Sequence, residues 1–179
     1  MIPPSIPHSH LSIIMSKILT VDTIVKLTLL ARLKSEKIVF TNGCFDIIHR
    51  GHIHYLALAA DKGTQLIVGI NSDDSVKRLG KSANRPLQDE QTRALIIASL
   101  HFVTSVIIFD EDTPANLISI IKPDVLVKGG DYDSDEKNAT SQKYIVGSDI
   151  VKAYGGSVET IEYLKSFSTT AIEQKIIGN

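Results

Sequence analysis

The sequence predicts an α/β fold: a Rossmann-like parallel sheet of about five strands with helices on both faces. Three observations carry this. Short β-branched apolar runs alternate with longer amphipathic stretches from Lys37 onward, the pattern of a parallel sheet covered on both sides. The runs are bounded by Gly, Pro, Asn and Asp, which break elements. No internal repeat or low-complexity linker divides the 179 residues, and about 100–200 residues make one domain. Residues 1–15 are expected to be a flexible tail and residues 16–179 a single domain.

Taken in order, residues 1–15 hold three of the six prolines and no clear periodicity, so they read as loose chain. Met15 is a candidate start. Thr20 or Asp22 suits the N-cap of a helix, with Ile24, Leu27, Leu30, Ala31 and Leu33 read as its apolar stripe. Residues 37–41 read as a strand, and residues 52–62 as a helix stopping at Gly63. A strand follows at 65–71, then a short capped helix from Ser72 and a loop over 80–88. Residues 89–102 form a helix with Ala94, Ile97 and Leu100 inward. A third strand spans 103–109, Thr113-Pro114 opens a helix, and 123–128 form a fourth strand. Residues 131–143 are a polar loop, 144–154 a helix stopping at Gly155-Gly156, and 157–163 a fifth strand. Ser168 caps a final helix over 169–177.

Composition narrows the function classes. A 43% hydrophobic content suffices for a core, and a net charge of −1 argues against a broad basic surface for nucleic acid. One cysteine cannot make an internal disulfide, so a reducing cytoplasm is the expected setting. No apolar run approaches the roughly 18 residues of a membrane span. Met1-Ile2-Pro3-Pro4 lacks the charged start of a signal peptide.

Three segments carry chemistry. The first is Thr41-Asn42-Gly43-Cys44-Phe45-Asp46 followed by His49-Arg50-Gly51-His52. It joins a strand to a helix start, where open α/β sheets bind ligands and backbone N–H groups attract anions. His49 and His52, three apart, can face one phosphate, and Gly51 lets it approach. Thr41-Asn42-Gly43 reads as a turn with amides toward phosphate, Phe45 beneath it and Asp46 orienting the loop. Cys44 has no evident base beside it and reads as a filler of a small space; His54 points to another face. The second is Lys128-Gly129-Gly130-Asp131-Tyr132 at a strand's carboxyl end. The third is Ser168-Thr169-Thr170 at a helix start, suited to a β- or γ-phosphate. Singly, a structural histidine, a tight turn and an N-cap account for them equally well. Lys77, Arg78, Lys81, Arg85 and Arg93 form a basic set able to neutralise phosphates, although any one such charge is more often a solvated face.

In this order the three segments resemble the HxGH nucleotidyltransferase superfamily, and more narrowly the bacterial D-glycero-β-D-manno-heptose 1-phosphate adenylyltransferases. The resemblance runs from about Ile38 to the C-terminus. It implies a nucleotidyltransferase-type sheet and an enzyme joining AMP from ATP to the heptose 1-phosphate, giving ADP-heptose and pyrophosphate for lipopolysaccharide-type precursor synthesis. It implies His49, His52 and Lys77 as catalytic. It implies Thr41, Asn42, Gly43, Phe45, Gly51, Arg93, Lys128, Gly129, Asp131, Ser168, Thr169 and Thr170 as nucleotide-binding. Mg²⁺ is expected with ATP, without an identifiable protein site. A homodimer and a separate heptose kinase upstream are expected, with no nucleic-acid or membrane partner. The polar loop after Tyr132 is expected to be a flap over the sugar. Two positions depart from the family: Gly80 stands where a lysine usually follows Leu79, with Lys81 one later, and Ser166 replaces a glycine. Two alternatives remain. One is a cytidylyltransferase for glycerol 3-phosphate or ethanolamine phosphate, which usually has arginine near the position of Lys165. The other is a non-catalytic nucleotide-binding domain, against which the intact histidines stand.

Overall fold

The computed structural model describes residues 9–80, 85–164 and 167–178. The described residues form six parallel strands in one sheet, with the order β1-β4-β3-β2-β5-β6. In the chain, α1 (His10–Met15) and β1 (Ile18–Leu19) come first, then α2 (Val21–Leu33), β2 (Ile38–Gly43) and α3 (Arg50–Ala60). Next are β3 (Gln65–Asn71), α4 (Asp73–Arg78), α5 (Glu90–Ala98), β4 (Ser105–Phe109) and α6 (Ala115–Ile121). The chain ends with β5 (Val125–Gly129), α7 (Ser148–Ala153), β6 (Ser157–Ile161) and α8 (Thr169–Ile177).

Alternation along the strands divides the core into two layers. Val39, Val68, Ile70, Val106, Val125 and Val127 face one side with Leu56 and Ala59 of α3 and Ala94 and Ile97 of α5. Ile38, Phe40, Ile67, Ile107 and Leu126 face the other, against Ile24, Leu117, Ile118, Ile121 and Val151 of α2, α6 and α7. The chain runs from β2 outward through β3 and β4, then returns to place β5 on the other side of β2. The strand order therefore reverses between β2 and β5. A crevice forms outside the carboxyl ends of strands at such a reversal.

Several expectations change. The flexible tail expected over residues 1–15 is, from His10 to Met15, a helix capped by Ser9, and Ile14 packs on the core. Residues 1–8 lie outside the described residues. The sheet has six strands rather than five, because Ile18 and Leu19 pair with Val106 and Ile107; two residues are too few to show a period. On α2, Leu33 is 83% exposed. It lies nine residues from Ile24, about two and a half turns, and so on the opposite side. Buried Thr28 takes part of the inward face instead, its hydroxyl bonding to the Val25 carbonyl. The helix expected over 89–102 stops at Ala98, and the one expected over 144–154 begins at Ser148. The loop after Tyr132 closes on itself through Asp133 N–H to the Lys143 carbonyl, 2.9 Å. It is tied to α7 by Lys152 and the Ser134 carbonyl.

Candidate active site

Thr41-Asn42-Gly43 is the end of β2 rather than a turn, paired with Val68, Gly69 and Ile70 of β3. Thr41 is fully buried, and its hydroxyl meets the Tyr55 hydroxyl at 2.7 Å. Tyr55 also donates to the Val127 carbonyl at 3.1 Å, so the pair joins β2, α3 and β5 beneath the crevice. Burial pushes the Tyr55 phenol far above its ordinary range. Thr41 is thus part of the floor, while Asn42 and Gly43 line the cavity above.

The reversal of direction falls on residues 44–49. Phe45 turns there with φ +49°, a left-handed value that a side chain tolerates only when its surroundings hold it. Two buried charges do so. Asp46, 2% exposed, accepts the Leu87 N–H at 2.9 Å and the Gln88 N–H at 3.0 Å. Arg93 has no exposed surface. It donates to the Cys44 carbonyl at 2.7 Å, the Gln88 carbonyl at 3.0 Å and the Asp73 carboxylate at 2.7 Å. The expected role of Arg93 as a nucleotide ligand is therefore corrected: every direction of its fork is taken by the turn, the following loop and α4. It positions the site from below.

His49 is the N-cap residue of α3 but makes no side-chain cap bond. Its ring stacks on His52 instead, with centroids 3.9 Å apart and planes 21° apart. Gly51 permits this, since a Cβ there would come 3.0 Å from two atoms of the His49 ring. Phe45 meets His52 edge-on at 5.4 Å. Burial lowers the His49 pKa. Burial first, and then the His49 charge, lower that of His52 to about 4, against a backbone bond with Ile47 that raises it. Near neutral pH both rings are uncharged, and an arriving anion favours their protonation. His54 is exposed on the outer side of α3, away from the pair.

His52, Asn42, Gly43, Phe45, Gly129 and Thr169 share the wall of a cavity of about 470 Å³. Lys128, 9% exposed, lines it too, bonded to Asn42 Oδ1 and 6.0 Å from the Tyr132 ring centroid. Gly129 is required by Tyr163, whose ring occupies the space a Cβ would take. Asp131 is exposed just past the cavity; the burial of Tyr163 first, and then the Asp131 charge, raise the Tyr163 pKa. Ser168 caps α8, accepting from the Ala171 N–H at 3.1 Å; the Thr170 side chain lies outside the described residues. Residues 133–143 do not line the cavity, although Tyr132 and Val146 on either side of them do. The expected catalytic Lys77 is not brought to this wall. It is exposed on α4, its ammonium 2.9 Å from Asp74 three residues earlier. Arg78 is held by Asp110 and Asp112. Lys81, Lys165 and Ser166 lie outside the described residues.

Sequence reasoning passed over Tyr55, Tyr163 and the pairing of Arg85 with Glu173. Tyr55 was findable, since it stands three residues after His52 on the same helical face. Tyr163 reaches the cavity, and Glu173 its partner Arg85 on the cavity wall, only through the fold. No helix among the described residues is long and apolar enough to cross a membrane.

Comparisons with known proteins bear on the family and the fold. The chain is 52% identical over 149 residues to the bifunctional protein HldE of Pseudomonas putida, covering 83% of this chain and 30% of that one. It is 47% identical over 171 residues to the protein of the same name from Wolinella succinogenes, covering 96% and 33%. It thus spans about a third of the length of these relatives. A crystal structure of a lipopolysaccharide core biosynthesis protein from Thermoplasma volcanium is similar at a TM-score of 0.55 and 29% identity, covering 74% of this chain and 99% of that one. A pantoate-beta-alanine ligase from Francisella tularensis shares the fold at a TM-score of 0.57 and 18% identity, covering 88% and 76%. The cytidylyltransferase-like family model matches residues 40–175. Since that match runs from the strand carrying the histidine turn to the helix beside the cavity, the chain belongs to the cytidylyltransferase-like family of nucleotidyltransferases.

Proposed function

We propose that the chain transfers AMP from ATP to D-glycero-β-D-manno-heptose 1-phosphate, giving ADP-heptose and pyrophosphate for lipopolysaccharide-type precursor synthesis. The observation carrying the reading is His52 at the strand-order reversal, lining one cavity with Lys128 and Thr169 while His49 stacks on its ring. In this reaction a phosphate oxygen of the sugar attacks the α-phosphorus. The bond to the α–β bridging oxygen breaks, and pyrophosphate leaves with its electron pair. No covalent nucleophile is needed; positioning and charge stabilisation suffice. Hydrogen-bond donors at the pair suit the charge growing on the α-phosphate. The resting rings are neutral, which avoids two like charges 3.9 Å apart. The Asn42-held Lys128 adds a fixed cation at the wall.

The heptose assignment is supported by Lys128-Gly129-Gly130-Asp131-Tyr132 and Ser168-Thr169-Thr170, and by likeness to a lipopolysaccharide core biosynthesis protein. Mg²⁺ fits as an ion carried by the triphosphate. The cavity's carboxylates are Asp46, which caps two N–H groups, and Asp112, which pairs with Arg78. When bound, Mg²⁺ would neutralise phosphate charge with most ligands from phosphate and water. A separate heptose kinase would supply the sugar phosphate. The test is pyrophosphate release with ATP, CTP, GTP or UTP against heptose 1-phosphate, glycerol 3-phosphate and ethanolamine phosphate. ATP with heptose 1-phosphate is the expected productive pair. Turnover confined to CTP with glycerol 3-phosphate or ethanolamine phosphate would replace this reading by the one the family model's description favours.

A further inference from the structure

Arg85 enters the cavity wall with Cys44, Asp46 and Thr169. Its guanidinium meets Glu173 of α8 through two prongs, Nε to Oε1 at 3.0 Å and Nη2 to Oε2 at 2.7 Å. The two side chains are 15% and 21% exposed. Desolvation offsets most of the attraction in so sheltered a pair, so stability alone is a weak reason for it. Its placement supplies a better one. Glu173 stands one turn after Thr169 on the same side of α8, and Thr169 lines the cavity. An oligophosphate against the first turn of α8 meets its N–H groups. It then lies about 5 Å, one helical pitch, from the partner of Arg85. Phosphate offers an arginine the same two-oxygen geometry as a carboxylate, with more charge. Asp46 is the other carboxylate near this guanidinium, and its oxygens are committed to Leu87 and Gln88.

We propose that Arg85 is a phosphate receptor of the cavity, for the terminal phosphates of the nucleotide and the pyrophosphate they become, and that Glu173 is the internal anion these phosphates displace. The proposal rests on the nucleotidyl-transfer reading and deepens it. Exchange keeps the guanidinium paired throughout, and the released Glu173 carboxylate reaches solvent. Because Glu173 belongs to α8, the exchange also couples phosphate arrival to the placement of Ser168 and Thr169.

Calorimetric titration with inorganic pyrophosphate and Mg²⁺ tests this on the full chain. Glu173→Gln removes the competitor and should tighten binding about threefold or more, whereas Arg85→Ala should weaken it about tenfold or more. Arg85→Lys should fall between wild type and Arg85→Ala, since it keeps the charge without the fork. A purely structural pair would make both Glu173→Gln and Arg85→Ala less stable and neither a better binder. The proposal is overturned if Glu173→Gln binds no tighter than wild type, or if wild type does not bind pyrophosphate. Should Arg85→Ala fail to fold by circular dichroism, Arg85→Lys decides, and affinity equal to wild type overturns the proposal. The probe carries neither base nor sugar. Pyrophosphate binding of the expected pattern without nucleotidyl transfer would therefore sink the proposed reaction and leave Arg85 as a phosphate receptor.

Discussion

His49 and His52 show how two ordinary side chains acquire a specific state from their surroundings. Stacked at 3.9 Å and partly sheltered, they favour neutrality until an anion arrives. If they stabilise charge on the α-phosphate, His49→Ala and His52→Ala should each lower kcat by about 10²–10³ while nucleotide affinity changes less. The double variant should lose less than the product of the singles, because both act on one phosphate. His54→Ala, on the exposed side of α3, is the control and should be near wild type. Near-normal kcat in folded His49→Ala and His52→Ala would make the pair structural. The same burial predicts a pH effect on stability. The His52 pKa falls from 6.5 to about 4 on folding, so on acidification the unfolded chain takes up the proton first. Stability should be unaffected above pH 6.5 and fall as pH drops toward 4, by up to about 3 kcal/mol from this residue. Urea unfolding at pH 7.5 and 4.5 should show a smaller decline in His52→Gln than in wild type; parallel declines would contradict the assignment.

At the scale of elements, the turn after β2 and the loop before α5 are held as one unit by Asp46 and Arg93. Replacing Arg93 with Met leaves the Cys44 and Gln88 carbonyls and the Asp73 carboxylate without their donor. Loss of one partner of a buried charged network typically costs about 3–5 kcal/mol. The thermal midpoint of Arg93→Met should drop accordingly, and a change of only a degree or two would show that the network is dispensable. The first helix offers a second check. Ile14 is partly buried against the core, so Ile14→Ser should lower stability by about 1–2 kcal/mol, somewhat less than full burial of an isoleucine is worth. An unchanged midpoint would return residues 10–15 to the loose state their sequence suggests.

For the whole molecule, the order of elements from β2 to α8 was legible in the chain because each signal is local. Alternating or continuous β-branched runs mark the strands. Thr20, Ser72, Asp89 and Ser168 cap their helices through side-chain bonds to backbone N–H groups. The histidine turn, the Lys128 segment and the Ser168 segment were visible as strand ends or helix starts for the same reason. That they meet is a consequence of parallel topology, which sets the carboxyl ends of β2 and β5 side by side. Other features depend on partners distant in sequence. β1 exists because two residues find Val106 and Ile107. Lys77, read as catalytic, bonds to Asp74 instead. Arg93, read as a ligand, is surrounded by the turn it supports, and Arg85 meets a glutamate 88 residues away. Sequence by itself determined the fold class, most elements and the motifs, because caps and periodicities act within a few residues. Only the tertiary structure decided which arginine faces the cavity and which lies beneath it. The reason is that burial and ion pairing depend on what the rest of the chain packs around a side chain.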